Sequence, residues 1–178
     1  MTENVYDPLT GVWSRFGLMF FASHYLKLLR RMKREAILFV IGMDGMPADG
    51  PCEPAQETRL QETARLLLRT FRTSDAVARI EPDVFAVLLL ETSALAADAL
   101  LFRLEDRLVD WQTEHALAPH QTLSLVMDRI HPDRELVFQD VLSRTVTALR
   151  RQQADKQSQG ETTPPAPGRS VDTVLPDD

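Results

Sequence analysis

Two uninterrupted apolar runs constrain the fold of this chain more than any other feature. ILFVIGM (37–43) and VFAVLLL (84–90) carry no polar side chain at either odd or even positions. A strand with one face in water alternates apolar and polar residues, so a run without alternation has to be covered on both faces. Both runs fall far short of the ~18 residues a membrane span needs. The cover must therefore come from amphipathic segments elsewhere in the chain. Apolar residues recur at helical spacing from about Ser14 to Arg34 (Phe16, Met19, Phe20, Tyr25, Leu28, Leu29, Met32). They recur again over residues 57–75, where Leu60, Ala64, Leu67, Leu68 and Phe71 form the inner stripe. Further helices are expected from about Ala94 to His115 and over 133–152, with a strand over 122–130 between them. The aromatic residues Trp13, Phe16, Phe20, Phe39, Phe71, Phe85, Phe102 and Trp111 are expected in the core, with Trp111 the alternative candidate for an exposed interface.

AVARI (76–80) and VFAVLLL read as a hairpin around the polar turn Glu81-Pro82-Asp83. The order is then helix, strand, helix, strand, strand, helix, strand, helix. Without the outer helices it is βαββαβ, an α+β fold with a central sheet of four or five strands flanked by helices. Residues 1–152 are enough for one domain with a real core. From Gln153 the composition changes: residues 153–178 hold four prolines, no aromatic residue and few apolar ones. Such a segment buries too little surface to offset its ordering entropy, so a disordered C-terminal tail is expected. Within it VDTVLP (171–176) reads as a solvated tail or a short docking motif.

The net charge of −6 argues against nucleic-acid binding, which needs a basic footprint. Lys27, Arg30, Arg31, Lys33 and Arg34 make the first helix locally basic. Such a run is a solvated face or a surface for anionic lipid or a partner protein. Cys52 is the sole cysteine, and the four histidines show no ligand spacing, so no motif for a metal or cofactor is read here. Glu3 and Asp7 stand where a signal peptide wants positive charge, and a cytoplasmic location is expected.

Four blocks together are similar to a known family. DPLTGVWSRFGL (7–18), LFVIGMDGM (38–46), RTSDAVARIEPDVFAVLLLET (72–92) and the pair TLSLVM with LVFQDVLSRTVTALRRQ resemble, in order, the conserved blocks of GGDEF domains, the diguanylate cyclase fold. The resemblance covers about residues 5–152. It implies a nucleotide-cyclase-like sheet and a chemistry that joins two GTP molecules into cyclic di-GMP on magnesium held by carboxylates. At the family's first metal-binding aspartate this chain has Gly42; the second is Asp44. The phosphate-facing pair becomes Met46-Pro47, and the guanine-reading asparagine has no counterpart in ADGPCEP (48–54). The signature turn is degenerate: Glu81, Pro82, Asp83, Val84 and Phe85. Asp83 keeps the third-position acid, and Val84 replaces the fourth. Glu81 and Pro82 fill space that two glycines leave open for phosphates. Glu81 also adds repulsion, about 4 kcal/mol for two unit charges ~4 Å apart at an effective dielectric near 20. These departures predict a domain that is not an enzyme and needs no cofactor.

The resemblance also implies a binding site for cyclic di-GMP at an R-x-x-D before the signature turn. Arg72 and Asp75 stand at that spacing, and Arg79 and Arg103 are expected to add positive charge. A guanidinium grips phosphate or a guanine edge with two parallel hydrogen bonds. The same spacing also recurs at Arg103–Asp106, Arg107–Asp110 and Arg169–Asp172, and it equally describes an ion pair across one helical turn. The expected function is an inactive GGDEF-like receptor for cyclic di-GMP that signals to a partner protein. The alternatives are a nucleotide-free interaction or scaffold domain, paired with another protein or a second copy, and a weakly active cyclase using Asp44 and Asp83. Nothing ahead of Asp7 reads as a sensor, so input from a ligand or partner is expected.

Overall fold

The computed structural model of the chain describes residues 4–46, 52–90, 92, 94–114, 122–132 and 137–160. Its elements run β1 (Trp13–Ser14), α1 (Arg15–Arg31), β2 (Ala36–Met43), α2 (Pro54–Thr70), β3 (Ala76–Glu81), β4 (Val84–Leu90), α3 (Ala94–Glu114), β5 (Leu123–Ile130) and α4 (Phe138–Gly160). The five strands form one sheet in the order β1-β3-β4-β2-β5. β2 lies between β4 and β5 and is antiparallel to both, and β3 pairs antiparallel with β4. Only the two-residue β1 runs parallel to its neighbour, β3.

The apolar runs divide their side chains between two cores with the period-two alternation of a strand. Ile37, Phe39, Ile41 and Met43 of β2, with Phe85, Val87 and Leu89 of β4, meet Leu60, Ala64, Leu67 of α2 and Leu104, Leu108, Trp111 of α3. Ala36, Leu38 and Val40 of β2, with Val84, Ala86 and Leu88 of β4, meet Leu18, Ala22, Leu29 of α1 and Val141, Leu142, Leu149 of α4. The sheet is thus covered on both faces, as the unbroken apolar runs require. None of the described helices is long and apolar enough to cross a membrane.

Two expectations need correction. Phe16, Phe20 and Phe102 are exposed, Phe102 at 73%. In α1 the stripe through Leu18, Ala22 and Leu29 faces the sheet instead, because a helix with apolar residues on two sides can dock only one of them. Trp111 lies in the core. The domain also does not stop at residue 152. α4 continues to Gly160, and Gln153, assigned to the tail by its composition, is buried. Its inner face stays in register through Leu142, Thr145, Leu149, Gln153 and Lys156, where the last two meet a carboxylate rather than an apolar core. Residues 161–178, including VDTVLP, lie outside the described residues.

Candidate functional site

The hairpin between β3 and β4 sets one end of the sheet. Glu81 pairs with Val84 across the two-residue turn Pro82–Asp83. Gly42 of β2 pairs with Val84, and the Met43 N–H donates to the Asp83 carbonyl at 2.9 Å. Asp44, one residue past β2, is thereby fixed beside the turn, and its own N–H donates to the Thr122 carbonyl. The two carboxylates Asp44 and Asp83 are only 8% and 5% exposed at their side chains.

Neither carboxylate is unpartnered, as burial of a charge requires. Thr122 Oγ1 and Ser124 Oγ donate to Asp44 at 2.6 and 2.8 Å. From α4, Gln153 Nε2 and Lys156 Nζ donate to it at 2.9 and 3.1 Å. Burial pushes the Asp44 carboxyl up, but the hydrogen bonds from Thr122, Gln153, Ser124 and Lys156 outweigh it and hold it below the usual aspartate value. Arg59 of α2 also acts on Asp44 through its charge, which partly offsets the lowering of the guanidinium's own pKa by burial.

Asp83 is gripped in fork fashion by Arg150 of α4, whose Nη1 and Nη2 donate to its two oxygens at 2.6 and 2.7 Å. The same Nη2 donates to Glu81 at 2.7 Å. The hydrogen bond to Asp83 is the main reason the Arg150 pKa is raised above that of a free guanidinium, with burial opposing and Glu81 adding to it. Gly42 leaves room for α4: a Cβ there would stand 2.6 Å from Gln153 Nε2 and 2.8 Å from Leu149 Cδ2.

Arg79 braces the same turn from the other side. Its Nη2 donates to the Pro82 carbonyl at 2.7 Å, and its Nη1 lies 3.4 Å from the Asp7 carboxylate. Asp7 in turn accepts from the backbone and hydroxyl of Thr10. The opening DPLTG is therefore stapled to the signature turn.

A second region lies at the other end of β3. A cleft of about 640 Å³ is lined by Arg72, Asp75 and Arg103 together with Lys33, Arg34 and Glu35. Asp75 closes the turn into β3: its Oδ2 accepts from the Arg72 N–H at 3.0 Å and its Oδ1 from the Leu90 N–H at 3.4 Å. Among the described residues the Arg72 and Arg103 guanidinium groups have no hydrogen-bond or ion-pair partner. Glu35 is paired with His131 at 3.0 Å. Four cationic side chains against two carboxylates make this cleft positive in a chain whose net charge is −6. Lys33 is held at its rim in the left-handed region, with φ 53°, a conformation that costs a non-glycine residue roughly 1–2 kcal/mol.

The family profile described as "Diguanylate cyclase, GGDEF domain" matches residues 4–159. The chain belongs to the GGDEF family. No curated protein matches it. Among solved structures, it is similar to the FimX GGDEF domain from Pseudomonas aeruginosa, with a TM-score of 0.71 at 19% identity, over 86% of this chain and 96% of that one. The GGDEF domain of DgcB from Caulobacter crescentus, in complex with c-di-GMP, matches with a TM-score of 0.68 at 15% identity, over 89% and 92%. The diguanylate cyclase SiaD of P. aeruginosa, in complex with its activator SiaC, matches with a TM-score of 0.69 at 21% identity, over 88% and 59%. At these identities the likeness concerns the fold.

Within this GGDEF domain the structure brings together three of the four residues expected to bind cyclic di-GMP. Arg72, Asp75 and Arg103 line one cleft; Arg79 does not. Arg79 is four residues further along β3 than Asp75, ~13 Å for an extended strand, and is committed to the signature turn. Of the signature residues, Glu81 ends β3, Pro82 and Asp83 form the turn, and Val84 and Phe85, both fully buried, begin β4. Met46 packs against the core, and Pro47 lies outside the described residues.

The residues at the family's metal position do not suit magnesium, which demands oxygen ligands in near-octahedral array. Gly42 offers none, and the oxygens of Asp44 and Asp83 accept from α4. Sequence reasoning missed Arg59, Arg150, Gln153 and Lys156. The signal for the last three was the spacing of α4's inner face, which continues unbroken past residue 152.

Proposed function

We propose that this GGDEF domain recognises cyclic di-GMP instead of making it, and relays its presence to a partner protein. The observation that carries this reading is the positive cleft: Arg72 and Arg103 present guanidinium groups with no partner among the described residues, beside Lys33 and Arg34. Cyclic di-GMP offers two phosphodiester anions and two guanine edges, the groups that a guanidinium binds in bidentate fashion. Asp75 retains acceptor capacity for guanine N–H donors, since each of its oxygens accepts one backbone hydrogen bond. The DgcB domain, which shares the fold, is in complex with this nucleotide. The non-catalytic half of the reading is supported by the cations already seated on Asp44 and Asp83.

Calorimetric titration tests it. Cyclic di-GMP binds wild-type protein in the micromolar range or tighter, binding is lost in Arg72→Ala and weakened in Arg103→Ala, and Arg79→Ala leaves it unchanged. Absence of heat, or equal binding by Arg72→Ala, removes the proposal.

A second reading is favoured by the exposed apolar side chains Phe20 and Leu28 on α1 and Phe102 and Val109 on α3. In that reading the domain docks another protein or a second copy without any nucleotide, and the titration separates the two.

A further inference from the structure

We infer that α4 supplies this domain with built-in counter-ions, Arg150 and Lys156, for the carboxylates at the signature-turn end of the sheet, so that the fold is independent of metal. This deepens the non-catalytic half of the proposed function. It rests on the turn and α4 alone and makes no use of the Arg72 cleft.

Asp83 and Asp44, both buried, and the partly exposed Glu81 lie at the same end of the sheet. Left alone they would repel one another and each would bear the cost of burial. Arg150 bridges Asp83 and Glu81, and Lys156 sits 3.1 Å from Asp44. Lys156 also donates to the Leu123 carbonyl at 3.0 Å, which fixes its ammonium beside Asp44. Arg150 and Gln153 are themselves linked, Nη1 donating to Oε1 at 2.9 Å, so the two halves form one network. Arg15 and Arg59 reinforce it from α1 and α2.

The space is taken as well as the charge. Gln153 and Leu149 occupy the position that a side chain at residue 42 would need. A triphosphate carrying its metal would have to displace Gln153 and Lys156 from Asp44, breaking hydrogen bonds to a buried carboxylate without replacing the missing oxygen at Gly42. The glycine, the polar end of α4 and its run to Gly160 are thus parts of one arrangement. Each substitution makes physical sense only with the others.

The test reads metal binding without any nucleotide, so its failure and the failure of cyclic di-GMP binding are separate results. Thermal unfolding of the full chain is followed in EDTA, in millimolar MgCl2 and in NaCl of matched ionic strength. Wild-type protein melts at the same temperature in all three. Arg150→Met with Lys156→Met melts about 5 °C or more lower in EDTA and, with the acids exposed to solvent cations, gains a Mg²⁺-dependent rise that wild type lacks. Lys156→Met alone shows the same pattern in smaller degree and carries the test should the double variant not fold. A Mg²⁺-specific rise or saturable Mg²⁺ heat in wild type overturns the inference. So does a Lys156→Met protein that melts as wild type, or one that is destabilised but gains no Mg²⁺ response.

Discussion

Restoring the family's aspartate at position 42 should damage this protein rather than repair it. A strand glycine replaced by alanine normally gains ~0.5–1 kcal/mol from the reduced entropy of the unfolded chain. Here the added Cβ would lie 2.6 Å from Gln153 Nε2 and 2.8 Å from Leu149 Cδ2, so Gln153 must leave its hydrogen bond to Asp44. Overpacking of this kind costs about 1–3 kcal/mol, and the sign for Gly42→Ala reverses to destabilising. Gly42→Asp adds a second carboxylate two residues from Asp44 on the same strand face. At ~6 Å and an effective dielectric near 20 that repulsion is about 3 kcal/mol. The aspartate variant should lose about 3–5 kcal/mol and melt on the order of 10 °C lower. Urea unfolding of wild type, Gly42→Ala and Gly42→Asp gives the ordering directly. A Gly42→Asp protein as stable as wild type, or one stabilised by Mg²⁺ without removal of Lys156, refutes the claim that α4 fills this position.

Three further outcomes are expected. Because the Asp44 carboxyl is held below its ordinary value of 3.8 in the folded state, its contribution to stability is complete above that value and is lost as pH falls through the folded one. Urea midpoints from about pH 6 to about pH 2 should fall less steeply in Asp44→Asn, after allowance for its lower starting stability. Lys33→Gly should relieve the left-handed residue at the cleft rim and gain up to ~1 kcal/mol, while weakening cyclic di-GMP binding severalfold in calorimetry. Truncation after Gln152 should lower the melting temperature by several degrees relative to truncation after Gly160, since only the first removes Gln153 and Lys156 from Asp44.

The buried strands were legible because an apolar run without alternation has one physical solution, burial between two layers. The family resemblance rested on blocks spaced along the whole chain, and the profile match extends over residues 4–159. The inner face of α1 was not legible. Phe16 and Phe20 are more hydrophobic than Ala22, but the choice of face depends on which stripe meets the sheet. The two residues of β1 are too few to show any period. The end of α4 was misread for an instructive reason: apolar content is a proxy for burial only where the facing surface is apolar. Gln153 and Lys156 face a carboxylate, so their polarity, which suggested disorder, is what packs them. That Arg79 lies apart from Arg72 and Asp75 is not visible in the sequence, where the three stand within eight residues. The rise of an extended strand carries it to the opposite end of β3.

Recognition of a nucleotide without its turnover is the role proposed for this GGDEF domain. Incubation of the purified chain with labelled GTP and Mg²⁺, followed by separation of the products, puts it to the test. No cyclic di-GMP is expected above a protein-free blank at any protein concentration. Steady formation of the labelled cyclic dimer, abolished by Asp83→Ala, would contradict it.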